Sequence, residues 1–133
     1  MGICLDSTVI IDFLNGRKEA VAVINNYKEK DSLFTTEINI FEVLFGIYLK
    51  KVIDEDELSK AKDFFNMIDV LPFDDGCGDE ASSIQASLIK SGRMIEQADV
   101  FICAIIKNNG YSNIITRNKD HFSRVDGIEL ISY

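Results

Sequence analysis

The sequence has 133 residues, of which 47% are hydrophobic and 27% are charged, so it can build one domain with a real core but not two ordinary domains. No apolar run approaches the ~20 residues that span a bilayer, and the first residues do not resemble a signal peptide, so we expect a soluble, cytoplasmic protein. The formal net charge of −8 argues at first against a nucleic-acid partner, but carboxylates that serve to hold divalent cations would account for part of it.

Short apolar strands and helices alternate along the chain. In order, the pattern predicts a strand at 3–5, helices at 8–14 and 17–28, a strand at 32–35, helices at 37–49 and 55–67, a strand at 69–73, a helix at 77–90, a helix that carries Asp99 and ends at Asn108, a strand at 112–116, a turn at 118–122 and a strand at 128–132. Buried strands separated by helices are typical of a mostly parallel sheet covered on both faces. We therefore predict a single α/β domain over residues 1–133, folded as a three-layer α/β/α sandwich.

Asp6 follows the first predicted strand and precedes the first predicted helix. In an open parallel sheet, ligands bind beyond the carboxyl ends of the strands, where helix N-termini offer unpaired N–H groups. A buried carboxylate at this position needs a cation or a basic side chain as its partner. The alternative is that Asp6 only caps the helix, because aspartate is a preferred N-cap residue.

Glu42 and Asp99 each interrupt the apolar face of a predicted helix. The helical neighbours of Glu42 are mostly apolar, and those of Asp99 include Ile95 and Ile102. Unpaired buried carboxylates are costly, so these positions indicate a site more than a solvated surface. Two structural explanations stay open, namely an ion pair for Glu42 and a capping or first-turn role for Asp99.

The strand ends would bring Asp6, Asp99 and the turn at 116–118 to one edge of the sheet, and Glu42 could reach the same edge from the second helical layer. Clustered carboxylates repel one another unless cations neutralise them, and all-oxygen sites suit Mg²⁺ or Mn²⁺. Phosphoryl transfer to water is the chemistry of such a site. Arg93 and Arg117 flank these segments and are candidates for positioning the substrate, although both could be ordinary surface charges.

Four segments stand in a characteristic order and spacing: LDSTVIIDFL at 5–14, TTEINIFEVLFG at 35–46, QADVFICA at 97–104 and ITRNKDHF at 115–122, followed by VDGI at 125–128. Together they resemble the PIN-domain ribonucleases and, among these, the toxins of VapBC toxin–antitoxin pairs. The resemblance covers nearly the whole chain.

This resemblance implies an endoribonuclease that uses Mg²⁺ or Mn²⁺ to cut RNA. It implies that Asp6, Glu42 and Asp99 hold the metal and act in catalysis, and that Thr116 orients the turn that follows it. It also implies a small antitoxin protein that blocks the site, and we further expect a homodimer.

The fourth site position departs from the commonest family pattern, in which an acid stands where Asn118 aligns. Asn118 can coordinate a cation through its carbonyl oxygen but adds no charge. Asp120, two residues on, could replace it in catalysis or could be a surface acid. We predict Asn118 in the site, with Asp120 behind it.

A catalytically degenerate PIN-like module that binds RNA or a protein partner is the main alternative, and the neutral Asn118 favours it. An enzyme with an aspartyl nucleophile would need a second acid two residues after Asp6, where this chain has Thr8. Three distant cysteines and the single histidine, His121, predict neither a disulfide nor a zinc site. An apolar set on two predicted helices could be core or could contact a partner: Phe13, Leu14, Phe64, Phe65 and Met67.

Overall fold

The computed structural model describes residues 2–133, which form five strands and seven helices. The strands are β1 (Gly2–Leu5), β2 (Ser32–Thr36), β3 (Asp69–Leu71), β4 (Asn113–Ile115) and β5 (Glu129–Ile131). The helices are α1 (Ser7–Leu14), α2 (Lys18–Lys28), α3 (Glu37–Tyr48), α4 (Glu55–Asn66), α5 (Cys77–Lys90), α6 (Gln97–Asn108) and α7 (Lys119–Phe122). Within this described range, no helix is long and apolar enough to cross a membrane. The predicted order of the strands and of the first six helices is confirmed.

Two predicted elements differ in detail from the observed ones. The strand predicted at 69–73 stops at Leu71, because Pro72 has no N–H group with which to continue the ladder. The segment predicted as a turn after Asn118 contains the short helix α7. Phe122 at the end of α7 is fully buried, and this packing favours the helical form of the segment.

The sheet is entirely parallel, with the strand order β3-β2-β1-β4-β5. The chain adds β2 and β3 on one side of β1 and then returns to the other side of β1 for β4 and β5. The direction of winding therefore changes between β1 and β4. In open α/β sheets, a crevice for ligands forms beyond the carboxyl ends of the strands at such a point.

Strand β1 shows how the layers arise, because successive residues of a strand face opposite sides of the sheet. Ile3 and Leu5 join a core cluster with residues of α1, α2, α3 and α4. Cys4 faces the other way and joins a cluster with residues of α5, α6 and α7. Helices therefore cover both faces, and the predicted three-layer α/β/α sandwich is confirmed.

The apolar set predicted as either core or partner contact is divided in the structure. Phe65 is buried, and Phe13, Leu14 and Phe64 are partly buried against the same core cluster. Met67 is 88% exposed. Most of this set is therefore core.

All three cysteines are buried free thiols, and Cys77 stands at the start of α5. Cys4 and Cys103 lie in the same cluster, and burial raises the pKa of both thiols. They behave as small apolar side chains of the core.

Candidate active site

Asp6 lies between the end of β1 and the first turn of α1, at the carboxyl edge of the sheet. It is 3% exposed, and its backbone N–H donates to the carbonyl oxygen of Ile115 at the end of β4 (3.1 Å). Its carboxylate does not cap α1 within the described residues. The backbone of Asp6 therefore sits at the point where β1 and β4 end side by side, and its carboxylate contacts other side chains.

Three side chains from separate elements hold the Asp6 carboxylate. Oδ2 accepts hydrogen bonds from Oγ1 of Thr116 (2.6 Å) and Oγ1 of Thr8 (3.1 Å), and Oδ1 accepts one from Nδ2 of Asn39 (3.2 Å). Thr116 follows β4, Thr8 belongs to α1 and Asn39 belongs to α3. Oγ1 of Thr116 also accepts from the backbone N–H of Asn118 (2.9 Å), so this hydroxyl connects Asp6 to the turn after β4.

Glu42 reaches the same place from α3. Its Oε1 accepts a hydrogen bond from Oγ of Ser7 (2.6 Å), and that hydroxyl accepts from Nδ2 of Asn39 (3.0 Å), the amide that also contacts Asp6. The start of α3 fixes this amide, because the N-cap hydroxyl of Thr36 accepts from the Asn39 N–H (3.2 Å) and donates to its Oδ1 (2.7 Å). One helix cap therefore orients the amide that joins two acids.

Asp99 lies in the first turn of α6 and is 5% exposed. Its Oδ2 is 2.7 Å from Nδ1 of His121 and accepts a longer hydrogen bond from Nδ2 of Asn118 (3.4 Å). Because a carboxylate only accepts, we assign the proton of this contact to Nδ1 of His121. Both partners of Asp99 belong to the segment after β4, which also carries Thr116, the partner of Asp6. One segment, residues 116–121, therefore contacts both acids.

The three acids affect one another electrostatically. Burial is the main cause that raises the pKa of Asp6, and the hydrogen bond from Thr116 opposes it. Burial likewise raises the pKa values of Glu42 and Asp99; a hydrogen bond lowers each, and the nearby charge of Asp6 raises each again. Without a cation, the site therefore carries more negative charge than its surroundings stabilise.

The fit to a divalent cation depends on the donor chemistry of the site. Within residues 2–133, no group of three or more His, Cys, Asp or Glu side chains is arranged to hold a metal ion, since each acid is turned toward its hydrogen-bond donors. The residue types nevertheless fit, because carboxylate and amide oxygens are the ligands that Mg²⁺ and Mn²⁺ prefer. Mg²⁺ commonly takes only one or two carboxylates and keeps several waters, so three direct protein ligands are not required.

The family profile of the PIN domain matches residues 3–128 of this sequence. The chain belongs to the PIN-domain family. No curated protein sequence is significantly similar to it.

Solved structures share the fold of this PIN domain over almost their whole length. VapBC2 from Rickettsia felis, bound to a DNA fragment of its promoter, is 17% identical, covers 100% of this chain and 99% of its own, and has a TM-score of 0.90. DNA-bound VapBC from Salmonella typhimurium is 21% identical, with coverage of 99% and 98% and a TM-score of 0.84. VapBC-5 from Mycobacterium tuberculosis is 22% identical, with coverage of 99% and 98% and a TM-score of 0.70. At these identities, the likeness establishes the fold.

Two residues predicted for the site of this PIN domain bond to residues other than the acids. Asp120 is exposed, and its Oδ2 accepts a hydrogen bond from Nη2 of Arg124 (2.8 Å). Nε of Arg93 donates to Oγ of Ser91 (3.3 Å), and the Arg93 side chain lines a separate cavity of about 190 Å³ together with Lys107. Within residues 2–133, neither Asp120 nor Arg93 has a hydrogen bond or ion pair with the three acids.

Arg117 lies beside the acids and is held by a carboxylate that the sequence did not mark as a site residue. Its backbone N–H donates to Oγ1 of Thr8 (3.0 Å), and its Nε lies 2.9 Å from Oδ2 of Asp12, which is 3% exposed. Asp12 stands in the apolar helix α1, four residues after Thr8. This is the same kind of signal that singled out Glu42.

Four polar side chains that contact the acids of the PIN domain were also not predicted: Ser7, Thr8, Asn39 and His121. Asn39 had a local signal, because it stands three residues after the capping residue Thr36. His121 stands three residues after Asn118, but as the single histidine of the sequence it was set aside as a candidate for a zinc site. Ser7 had no signal, because its partner Glu42 is 35 positions away.

Proposed function

We propose that this PIN domain, as a single domain over residues 1–133, is a cytoplasmic, metal-dependent endoribonuclease that hydrolyses RNA phosphodiester bonds. The observation that carries this proposal is the convergence of Asp6, Glu42 and Asp99 at the switch point of the sheet, with a raised pKa for each acid. A carboxylate cluster in such a crevice suits Mg²⁺ or Mn²⁺.

The three acids would hold the cation, and the polar residues around them would keep the carboxylates in place. When bound, a divalent cation supplies an activated water and offsets the charge that develops on the phosphate oxygens. Thr116 fixes Asp6, and His121 fixes Asp99, through the contacts described above. In the reaction, the water oxygen forms a bond to phosphorus, one P–O ester bond breaks, and the leaving oxygen takes up a proton.

Asn118 is our candidate for the fourth polar group of the site. Its amide lies 3.4 Å from Asp99, and a half-turn of the amide would present the carbonyl oxygen instead of the NH₂ group. Asp120 is the weaker candidate, because its carboxylate is exposed and already pairs with Arg124. We propose that Arg117, beside the acids, positions the substrate, and the remote contacts of Arg93 speak against the same role for it.

RNA cleavage with and without metal tests the proposal. A pool of structured RNAs is incubated with Mg²⁺, with Mn²⁺ or with chelator, using wild type, Asp99→Asn and the control Asp63→Asn, which removes an exposed acid of α4. We expect wild type and the control to cut only with metal, and Asp99→Asn to be inactive. Metal-independent cutting, or equal activity of all three proteins, would contradict the proposal.

The second candidate is a catalytically degenerate module that binds RNA or a protein. The neutral Asn118 favours it, as does the pairing of Asp99 with His121. Calorimetric titration with Mn²⁺ separates the two candidates when no cleavage is found. An intact metal site loses affinity on Asp99→Asn, whereas a degenerate one shows the same heat for both proteins.

We also propose that the protein is the toxin of a VapBC-type pair with an antitoxin partner. The similar structure from Mycobacterium tuberculosis is a member of the VapBC family of toxin–antitoxin systems. In this chain, α3 and the residue after it expose an apolar stripe, defined as Phe41, Phe45, Tyr48 and Leu49, which are 47–69% exposed. A groove of about 310 Å³ between α1, α3 and α4 lies alongside. Contiguous exposed apolar surface of this kind marks partner contacts.

One variant can show whether the apolar stripe forms the predicted homodimer interface or is free to contact an antitoxin. Light scattering gives the mass of the purified chain alone, and Phe45→Glu places a charge in the middle of the apolar stripe. We expect a dimer whose mass Phe45→Glu does not change, because we assign the stripe to the antitoxin. Conversion to a monomer would assign the stripe to self-association instead.

A further inference from the structure

Asp12 forms ion pairs with two arginines, Arg17 and Arg117, beside the acidic site, and part of each guanidinium group stays exposed to solvent. Its carboxylate oxygens lie 2.9 Å from Nε of Arg117 and 3.6 Å from Nε of Arg17, and Oδ2 also accepts a hydrogen bond from Oη of Tyr133 (2.7 Å). The side chains of Arg117 and Arg17 are nevertheless 49% and 61% exposed. We propose that Asp12, Arg17 and Arg117 form a phosphate subsite, in which Asp12 positions both guanidinium groups to bind a phosphodiester of the RNA strand that flanks the cleaved bond.

The free nitrogen atoms support this assignment. In both ion pairs the guanidinium atom nearest to Asp12 is Nε, and within residues 2–133 no Nη group of Arg17 or Arg117 donates a hydrogen bond to the protein. The two Nη atoms of a guanidinium form the fork that binds phosphate oxygens in a bidentate manner. Both forks are therefore accessible to a phosphate from solvent.

The position of the subsite relative to the acids follows from α1. The backbone N–H of Arg117 donates to Thr8, whose hydroxyl donates to Asp6. The Arg117 side chain then runs to Asp12, which lies four residues, or about one helical turn of 5.4 Å, beyond Thr8. The guanidinium groups are therefore close to the acids but separated from them, as the neighbour of a cleaved phosphate would be.

The charge of this cluster differs from that of the molecule. One buried carboxylate and two guanidinium groups leave one net positive charge, whereas the whole chain carries a formal charge of −8. A polyanion that approaches an acidic protein needs such a local cationic surface next to the site. The inference rests on the proposed function, since it names how the RNA strand is held at that same site.

The salt dependence of RNA binding tests the subsite. Binding of a short, fluorescent, mixed-sequence single-stranded RNA is measured in Mg²⁺ buffer over a series of salt concentrations, in the Asp99→Asn protein so that cleavage does not interfere. Added to this parent, Arg17→Gln and Arg117→Gln should each raise Kd several-fold and reduce the slope of log K against log salt by about 0.7, the value for one lost contact with a single strand. Lys60→Gln removes the same charge from exposed α4 and should leave the slope unchanged.

The variant Asp12→Asn shows whether Asp12 supports RNA binding by positioning the two guanidinium groups or opposes it through its negative charge. It makes the protein less negative, so general electrostatics predicts tighter RNA binding. The subsite predicts weaker binding and a smaller slope, because the guanidinium groups lose their anchor. If Asp12→Asn does not fold, as judged by its thermal melt, the two arginine variants decide the question, since their side chains are largely exposed.

Three outcomes would overturn the inference: no RNA binding by the parent protein, slopes for Arg17→Gln and Arg117→Gln equal to that of Lys60→Gln, or tighter binding by a folded Asp12→Asn. These outcomes are independent of the cleavage assay. A chain that cuts RNA but shows equal slopes retains the proposed function and lacks the subsite. A chain that never cuts but shows the predicted slopes has the subsite without the nuclease.

Discussion

Asp6 is a buried carboxylate whose three recorded side-chain partners are all uncharged: Thr8, Asn39 and Thr116. Hydrogen bonds from hydroxyl and amide groups lower its pKa, yet burial still raises it. A carboxylate kept ionised under these conditions costs stability unless a cation is bound. A residue with this cost is expected where function requires the charge.

We therefore predict that Asp6→Asn abolishes RNA cleavage and stabilises the metal-free fold. The neutral amide removes the buried charge, and the two threonine hydroxyls can still donate to its oxygen. We expect cleavage to fall by about 100-fold or more, and Tm in chelator to rise by roughly 3–5 °C, or about 1 kcal/mol for a domain of this size. A lower Tm in a melt followed by circular dichroism would show that Asp6 is structural.

Tyr133 provides a second test at the residue scale. Its pKa is raised to about 12, first because the phenol is partly buried and then because Asp12 accepts its hydrogen bond and carries a negative charge. We predict that Asp12→Asn lowers this pKa part-way toward the ordinary value of about 10. The phenolate absorbance on titration with base measures it, with Tyr133→Phe identifying which of the four tyrosines is responsible. An unchanged titration would mean that Asp12 does not hold Tyr133 in solution.

At the scale of elements, the start of α5 depends on one glycine. Gly76 is the N-cap of α5 and has φ = 92°, a left-handed conformation that side chains rarely adopt. A Cβ atom here would lie 2.5 Å from Oδ1 of Asn108, whose Nδ2 donates to the carbonyl oxygen of Asp75. The last residue of α6 is thereby attached to the residue that precedes the N-cap of α5.

Gly76→Ala and Gly78→Ala should have opposite effects on stability. Gly76→Ala should destabilise the protein by about 1–3 kcal/mol, from the strained backbone and the displaced Asn108. Gly78 lies inside α5 with no atom within 4 Å of an added Cβ, so alanine there should stabilise by about 0.4–1 kcal/mol. Urea unfolding of both variants measures this, and two changes of the same sign would contradict the assignment.

At the scale of the whole molecule, the raised pKa values of Asp6, Glu42 and Asp99 predict an unusual response to acid. A carboxyl group whose pKa is higher in the folded state binds its proton more tightly when folded, so it contributes stability at low pH. That contribution is complete below the unfolded pKa of about 4 and is lost as pH rises through the folded values.

In chelator, we therefore predict that Tm increases when the pH is lowered from neutral toward about 5. Mg²⁺ should raise Tm at neutral pH, because a ligand of the folded state stabilises it, and should do so less in acid, where protons compete. Asp6→Asn should show a smaller dependence on pH than wild type. If Tm in chelator falls steadily with acidification in both proteins, folding does not raise the pKa values of these acids as their burial indicates.

The alternation of strands and helices and the three acids could be predicted from the sequence, because each depends on neighbours a few residues away. Apolar spacing marks the elements, and Glu42 and Asp99 stand out because the residues one helical turn away are mostly apolar. Asp6 stands out because a strand and a helix meet there. The turn chemistry of residues 116–118 was also visible locally.

Which side chains meet depends instead on the strand order β3-β2-β1-β4-β5, which places β1 beside β4 although Asp6 and Thr116 are 110 positions apart. The tertiary structure alone brings Ser7 to Glu42, His121 to Asp99 and Tyr133 to Asp12. Local periodicity cannot specify these contacts, because hydrogen bonds and ion pairs depend on distances that only the packed layers set. The sequence by itself thus determined the order of the elements and marked the three acids as candidates, and the packing of the sheet and helices decided which side chains each acid contacts.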